Sequence, residues 1–91
     1  MAHTQRNKKK LLDRIRRIQG QLRGVEAALD QDQDCYRVLQ TLAACRGAMN
    51  GLLAEIVEGH LRSHVGHPDV SNAERAEAVE ELADVIRAYL K

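Results

Sequence analysis

The 91-residue chain has no tryptophan and no phenylalanine, and only two tyrosines, Tyr36 and Tyr89. Its core must therefore be aliphatic, and single-stranded nucleic acid, which is gripped by stacking on aromatic side chains, is disfavoured as a ligand. Two cysteines cannot form a disulfide framework, and free thiols are expected in a reducing compartment. One proline and six glycines leave few forced breaks. No apolar run approaches transmembrane length, and none follows the basic start, so neither a membrane span nor a signal peptide is expected and the cytoplasm is the default. A chain this short, read as one domain over residues 1–91, buries little surface alone, so oligomerisation is the remaining common source of stability.

The net charge of +1 conceals an asymmetry. Residues 1–23 carry eight Lys or Arg (Arg6, Lys8, Lys9, Lys10, Arg14, Arg16, Arg17 and Arg23) against one acid, Asp13, whereas residues 24–91 carry six bases and twelve acids. A basic end of this kind is an electrostatic footprint for phosphate or an acidic partner, and its plain alternative is a solvated helix face.

Three helices account for the apolar pattern, and no strand pattern or repeat appears. Leu11, Ile15, Ile18, Leu22, Val25 and Leu29 alternate spacings of 4 and 3, a heptad seam that predicts a helix over about 5–30. Asp30 to Asp34 form a polar break rich in N-cap residues. Cys35, Val38, Leu42, Cys45, Met49, Leu52 and Ile56 then build a second seam, widened by Leu39, Leu53, Val57 and Leu61, which predicts a helix over about 33–64. Gly66 and Pro68 should end it. Ser71 and Glu74 have the spacing of a capping box for a third helix, whose apolar face reads as Val79, Leu82, Val85, Ile86 and Tyr89. The second helix is long for so small a domain, which argues for packing between chains.

Four residues could bind a metal: His3, Cys35, His60 and His64. His60 and His64 stand four apart, so they share one helix face and can grip one ion, although surface histidine pairs without that role are common. Cys35 falls in the first turn of its helix, where the helix dipole favours a thiolate and Asp32 and Asp34 oppose it. Its simpler reading is a small seam residue. Cys45 reads as core, and lies about 15 Å along the helix from Cys35, beyond disulfide reach. Cys35 and His60 are 25 residues apart on one helix, which is roughly 37 Å. If they share an ion, the second helix must pair antiparallel with its copy, and a twofold pairing then creates two sites. No nucleophile–base set or paired carboxylates suggest an enzyme.

Several stretches carry a family resemblance. The most specific is Leu42-Ala43-Ala44-Cys45-Arg46-Gly47-Ala48-Met49-Asn50-Gly51-Leu52 with Glu55 and His60-Leu61. Lys8-Lys9-Lys10-Leu11-Leu12, Arg14-Ile15-Arg16-Arg17-Ile18-Gln19-Gly20-Gln21 and the ending Arg87-Ala88-Tyr89-Leu90-Lys91 also fit. With these the chain resembles the CsoR/RcnR family of bacterial repressors, which respond to copper, to nickel and cobalt, or to formaldehyde. The resemblance implies an all-α, three-helix protomer with long antiparallel helices, assembled as a dimer of dimers. It implies a repressor without enzymatic activity that binds double-stranded operator DNA and lets go when its effector binds.

The resemblance also bears on the effector. Copper sensors of the family carry a second Cys where this chain has His64, and Cu(I) prefers thiolate. Persulfide sensors need a second reactive Cys where His60 stands. The nickel/cobalt members carry the set that here reads His3, Cys35, His60 and His64, ligands that suit Ni(II) or Co(II) and also Zn(II). The Ala2 amine could join if Met1 is removed. Asp34 stands where those members often offer Glu, and Ser63 precedes His64 without a carboxylate. The formaldehyde-responsive members use the same Cys with an N-terminal Pro amine; here Ala2 is not Pro, and His64 replaces what is often Glu, yet a primary amine can still react. For DNA, the basic first helix offers Lys9, Lys10, Arg14, Arg16 and Arg17 to phosphates, and Arg46 joins them by resemblance. No helix-turn-helix is recognisable, so DNA shape is expected to contribute to specificity.

Overall fold

The computed structural model describes residues 7–89, and these form an all-α chain. Helix α1 spans Lys8–Asp30, α2 spans Cys35–His60, a π-helical turn continues α2 over Leu61–Val65, and α3 spans Asn72–Tyr89. No strand occurs among the described residues, and no described helix is long and apolar enough to cross a membrane. The chain divides into two compact units, one of residues 7–53 and one that begins at Ala54.

The first unit is an antiparallel helical hairpin. The Cys45 Sγ on α2 donates to Gln21 Oε1 on α1 at 3.4 Å, and a Cβ on Gly51 would lie 3.5 Å from the Arg14 guanidinium, which sets the register. The polar break between the helices is a defined turn. The Gln33 N–H donates to the Ala28 carbonyl at 2.8 Å and the Asp32 N–H to Leu29 at 3.2 Å, with Asp32 at φ 53°. This is the Schellman pattern, with an aspartate in the left-handed position that glycine usually fills. Asp34 then caps α2, its Oδ1 accepting from the Tyr36 N–H at 3.0 Å.

Only one seam position per heptad is buried. Leu11, Ile18 and Val25 on α1, and Val38 and Cys45 on α2, recur every seventh residue inside the hairpin. Most of the alternate positions face out, with Ile15 half-buried: Leu29 is 63% exposed, Met49 54% and the flanking Leu39 58%. No described side chain is fully buried. Two helices meeting along a seam one residue wide remove little apolar surface from water, and at about 25 cal/mol per Å² such burial is a thin basis for stability.

The second unit holds the end of α2, the π-helical turn and α3. The expected regular helix to residue 64 is found only to His60; beyond it the Gly66 N–H reaches back five residues to the Leu61 carbonyl at 2.9 Å. Gly66 does follow the last helical residue, but at φ −84°, so it acts here without a left-handed conformation. The Ser71 Oγ accepts from the Glu74 N–H at 3.1 Å, as its spacing predicts. The face α3 turns inward differs from the expectation. Ala78 is buried at 3% exposure and Leu82 and Val85 are half-buried, whereas Val79, Ile86 and Tyr89 face out.

Candidate functional site

The histidine pair lies in the second unit. The rings of His60 and His64 are 4.9 Å apart between centroids, tilted by 49°. His60 is half-buried, and its Nε2 lies 3.3 Å from the Ala78 carbonyl and 3.7 Å from Glu81 Oε1. A carbonyl can only accept, so Nε2 is the donor in this contact. Metal-bound histidines are typically oriented in this way by a carbonyl or carboxylate behind them.

The pair opens into a cleft of about 380 Å³ lined by His60, His64, Glu74, Glu77, Ala78 and Glu81. The three glutamates follow one another at spacings of 3 and 4 on α3, which places them on one face. They make the cleft attractive to a cation. In the sequence Glu74 stands out only as part of a capping box, and Glu77 and Glu81 belong to no motif of their own. The 74–77–81 period is the signal that marks them.

The two rings stand side by side, and imidazole nitrogens are donors of the kind that bind a divalent ion at about 2.1 Å. Two nitrogens do not complete a site. Among the described residues, no three His, Cys, Asp or Glu side chains converge as a set that could hold a metal. Cys35 opens α2 and is exposed, while His60 closes it. The Asp34 carboxylate beside Cys35 is engaged as the helix cap. His3 and the Ala2 amine lie outside the described residues. Cys45 is buried and bonded to Gln21, as its core reading requires.

The basic residues lie in the first unit. Lys9, Lys10, Arg16 and Arg17 on α1 and Arg46 on α2 are exposed; Arg14 is half-buried, its guanidinium near Gly51. Arg16 has an exposed partner in Asp13 at 3.8 Å, an ion pair worth little in water. Lys8, Lys9 and Lys10 form the first turn of α1, which holds no acid, and Asn7 makes no side-chain cap bond. Cations at the positive end of a helix dipole destabilise it by a few tenths of a kcal/mol each. Helix stability therefore does not account for this cluster.

Comparison with known proteins places the chain beside regulators. The family model for metal-sensitive transcriptional repressors matches residues 7–88. A Serratia marcescens protein known as an uncharacterised protein in the bioA 5′ region is 47% identical over 91 residues, the whole of both chains. The transcriptional repressor RcnR of Salmonella paratyphi B is 42% identical, again over the whole of both chains. Among solved structures, a glutamate-to-histidine variant of the formaldehyde-responsive regulator FrmR from Salmonella enterica serovar Typhimurium is 42% identical. The match has a TM-score of 0.85 and covers 92% of this chain and 94% of that one.

Proposed function

We infer the function from one premise: this chain belongs to the metal-sensitive transcriptional repressor family, whose members are repressors and not enzymes. Within that family we read it as a repressor that holds double-stranded operator DNA when effector-free and releases it on binding Ni(II) or Co(II), with Zn(II) as a further ligand of the same chemistry. The observation that carries this reading is the His60–His64 pair, 4.9 Å apart beside three carboxylates, with His60 held from behind by the Ala78 carbonyl.

Cys35 of a second subunit is the proposed thiolate partner, with His3 as a further ligand. The rise of α2 separates Cys35 from His60, so the sharing requires two chains with α2 antiparallel. The outward seam residues Leu29, Leu39 and Met49, and a groove of about 570 Å³ along the hairpin, offer the surface such an assembly would bury. A homotetramer built as a dimer of dimers follows from the family resemblance, as does residence in the cytoplasm. The whole chain, residues 1–91, then acts as one sensing and DNA-binding domain.

On the DNA side, Lys9, Lys10, Arg16, Arg17 and Arg46 contact phosphates, with Arg14 at the edge of the same surface. Release is a shift in population: effector and operator favour different arrangements of the basic helices, and their coupling is reciprocal. A coupling of about 1–3 kcal/mol would change operator affinity roughly 5–150-fold.

A second reading is response to formaldehyde, favoured by the structural likeness to a regulator of that kind. It would use the Cys35 thiol and the N-terminal amine and leave His64 without a role. Anaerobic operator titration with Ni(II), Co(II), Zn(II), Cu(I) and formaldehyde separates the two. Release by Ni(II) or Co(II), abolished in His64→Ala, supports the metal reading. Release by formaldehyde alone, retained in His64→Ala, replaces it.

A further inference from the structure

The repressor reading makes no use of Arg75, in the first turn of α3, yet this side chain makes four hydrogen bonds. Its Nε donates to the Val65 carbonyl at 2.7 Å. Its Nη2 donates to the His67 carbonyl at 3.3 Å and the Val70 carbonyl at 3.1 Å, and its Nη1 to Asn72 Oδ1 at 2.9 Å. Three of these acceptors are backbone carbonyls at the end of one helix and in the link to the next, outside the regular helical ladder; that of His67 also accepts from the Val70 N–H at 3.3 Å. A planar guanidinium with five donors can meet them together, and its charge strengthens each bond.

The placement of these bonds gives them meaning. Val65 is the last residue of the π-helical turn, and His64 is its neighbour. A π-helical turn rotates each residue through a smaller angle about the axis than a regular helix does, so it decides where His64 points relative to His60. Ala78 follows Arg75 by three residues on the same face of α3, and its carbonyl faces His60 Nε2. One guanidinium thus ties the turn that bears His64 to the helix that orients His60.

We propose that Arg75 is a positioning residue for effector recognition, locking the His64 turn to α3 so that His60 and His64 are presented as a pair. The proposal rests on the reading of these histidines as effector ligands and adds the residue that sets their geometry. Arg75 is half-buried at the surface, so water can replace its donors when it is removed. Its removal should therefore loosen the pair without unfolding the chain.

The test compares the wild type with Arg75→Met, Arg75→Lys and His64→Ala, each as the full chain. In the metal-free protein, Arg75→Met should move the ring ¹H–¹⁵N signals of His60 and His64. It should weaken Co(II) binding by roughly 10–100-fold, as removing the group that supports a metal ligand from behind does. It should alter the visible Co(II) spectrum while operator affinity without metal stays unchanged; Arg75→Lys, which keeps one charged donor, should recover part of the Co(II) affinity. Unmoved ring signals with an unchanged Co(II) spectrum would overturn the proposal. So would a joint fall of operator affinity, Co(II) affinity and helix content, which marks a folding role only. If Co(II) binds the wild type and His64→Ala alike, the metal reading itself fails. The metal-free ring signals then decide the Arg75 claim alone: moved, it stands; unmoved, it falls.

Discussion

His60 Nε2 stands 3.3 Å from the carbonyl oxygen of Ala78, a contact in which the ring nitrogen is the donor. Glu81 Oε1, at 3.7 Å from the same nitrogen, reinforces that role, because a carboxylate also only accepts when ionised. Nitrogen-15 spectra of the metal-free protein should show His60 as the Nε2–H tautomer, with Nδ1 the nitrogen that Co(II) perturbs. An Nδ1–H tautomer would contradict this arrangement.

The lysines at the start of α1 give a test whose two readouts have opposite signs. Replacing Lys9 and Lys10 by glutamate puts acids at the positive end of the helix dipole, which should stabilise the helix by about 0.3–1 kcal/mol per site. The melting temperature should hold or rise. Operator affinity should fall, and its dependence on salt should weaken by about one unit of slope for each phosphate no longer neutralised. A double variant that binds operator with unchanged salt dependence would remove these lysines from the DNA face.

The two cysteines should behave differently toward a thiol-alkylating reagent. Cys45 is 3% exposed and donates to Gln21, whereas Cys35 is exposed at the head of α2. In the native protein Cys35 should be modified first, with Cys45 protected until the chain unfolds. Cys45→Ala should lower stability by roughly 1 kcal/mol, because it removes a hydrogen bond and the packing of the sulfur, and it should leave effector response intact. Bound Co(II) should protect Cys35; equal labelling with and without Co(II) would take Cys35 out of the site.

Much of the fold was legible because heptad spacing and capping chemistry are local. The every-seventh-residue burial of Leu11, Ile18, Val25, Val38 and Cys45 lies on the seams read from sequence, and Ser71 caps α3 as its spacing requires. Periodicity does not distinguish seam positions that pack within a chain from those left for a neighbour, so the exposure of Leu22, Leu29 and Met49 was not foreseeable. On α3 the eye follows large side chains, Val79, Ile86 and Tyr89, yet the inward face is centred on the small Ala78. The histidine pair was legible from its i,i+4 spacing. Its support was not, because the Ala78 carbonyl is backbone and leaves no mark in sequence. The carbonyl that ends the π-helical turn is likewise bonded by a side chain distant in sequence, Arg75, ten residues beyond Val65.

The central claim is that the effector site belongs to two subunits, with Cys35 from one and His60 and His64 from the other. Complementation between inactive variants tests it most directly. Cys35→Ala chains and His60→Ala/His64→Ala chains are each unable to form the site alone. Unfolded together and co-refolded, they can form mixed antiparallel pairs, in which one of the two symmetry-related sites regains both Cys35 and the histidines. Co(II)–thiolate absorption, absent from either variant, should return in the mixture. Mixed assemblies that form yet show no such absorption, with a wild-type control that does, would contradict it.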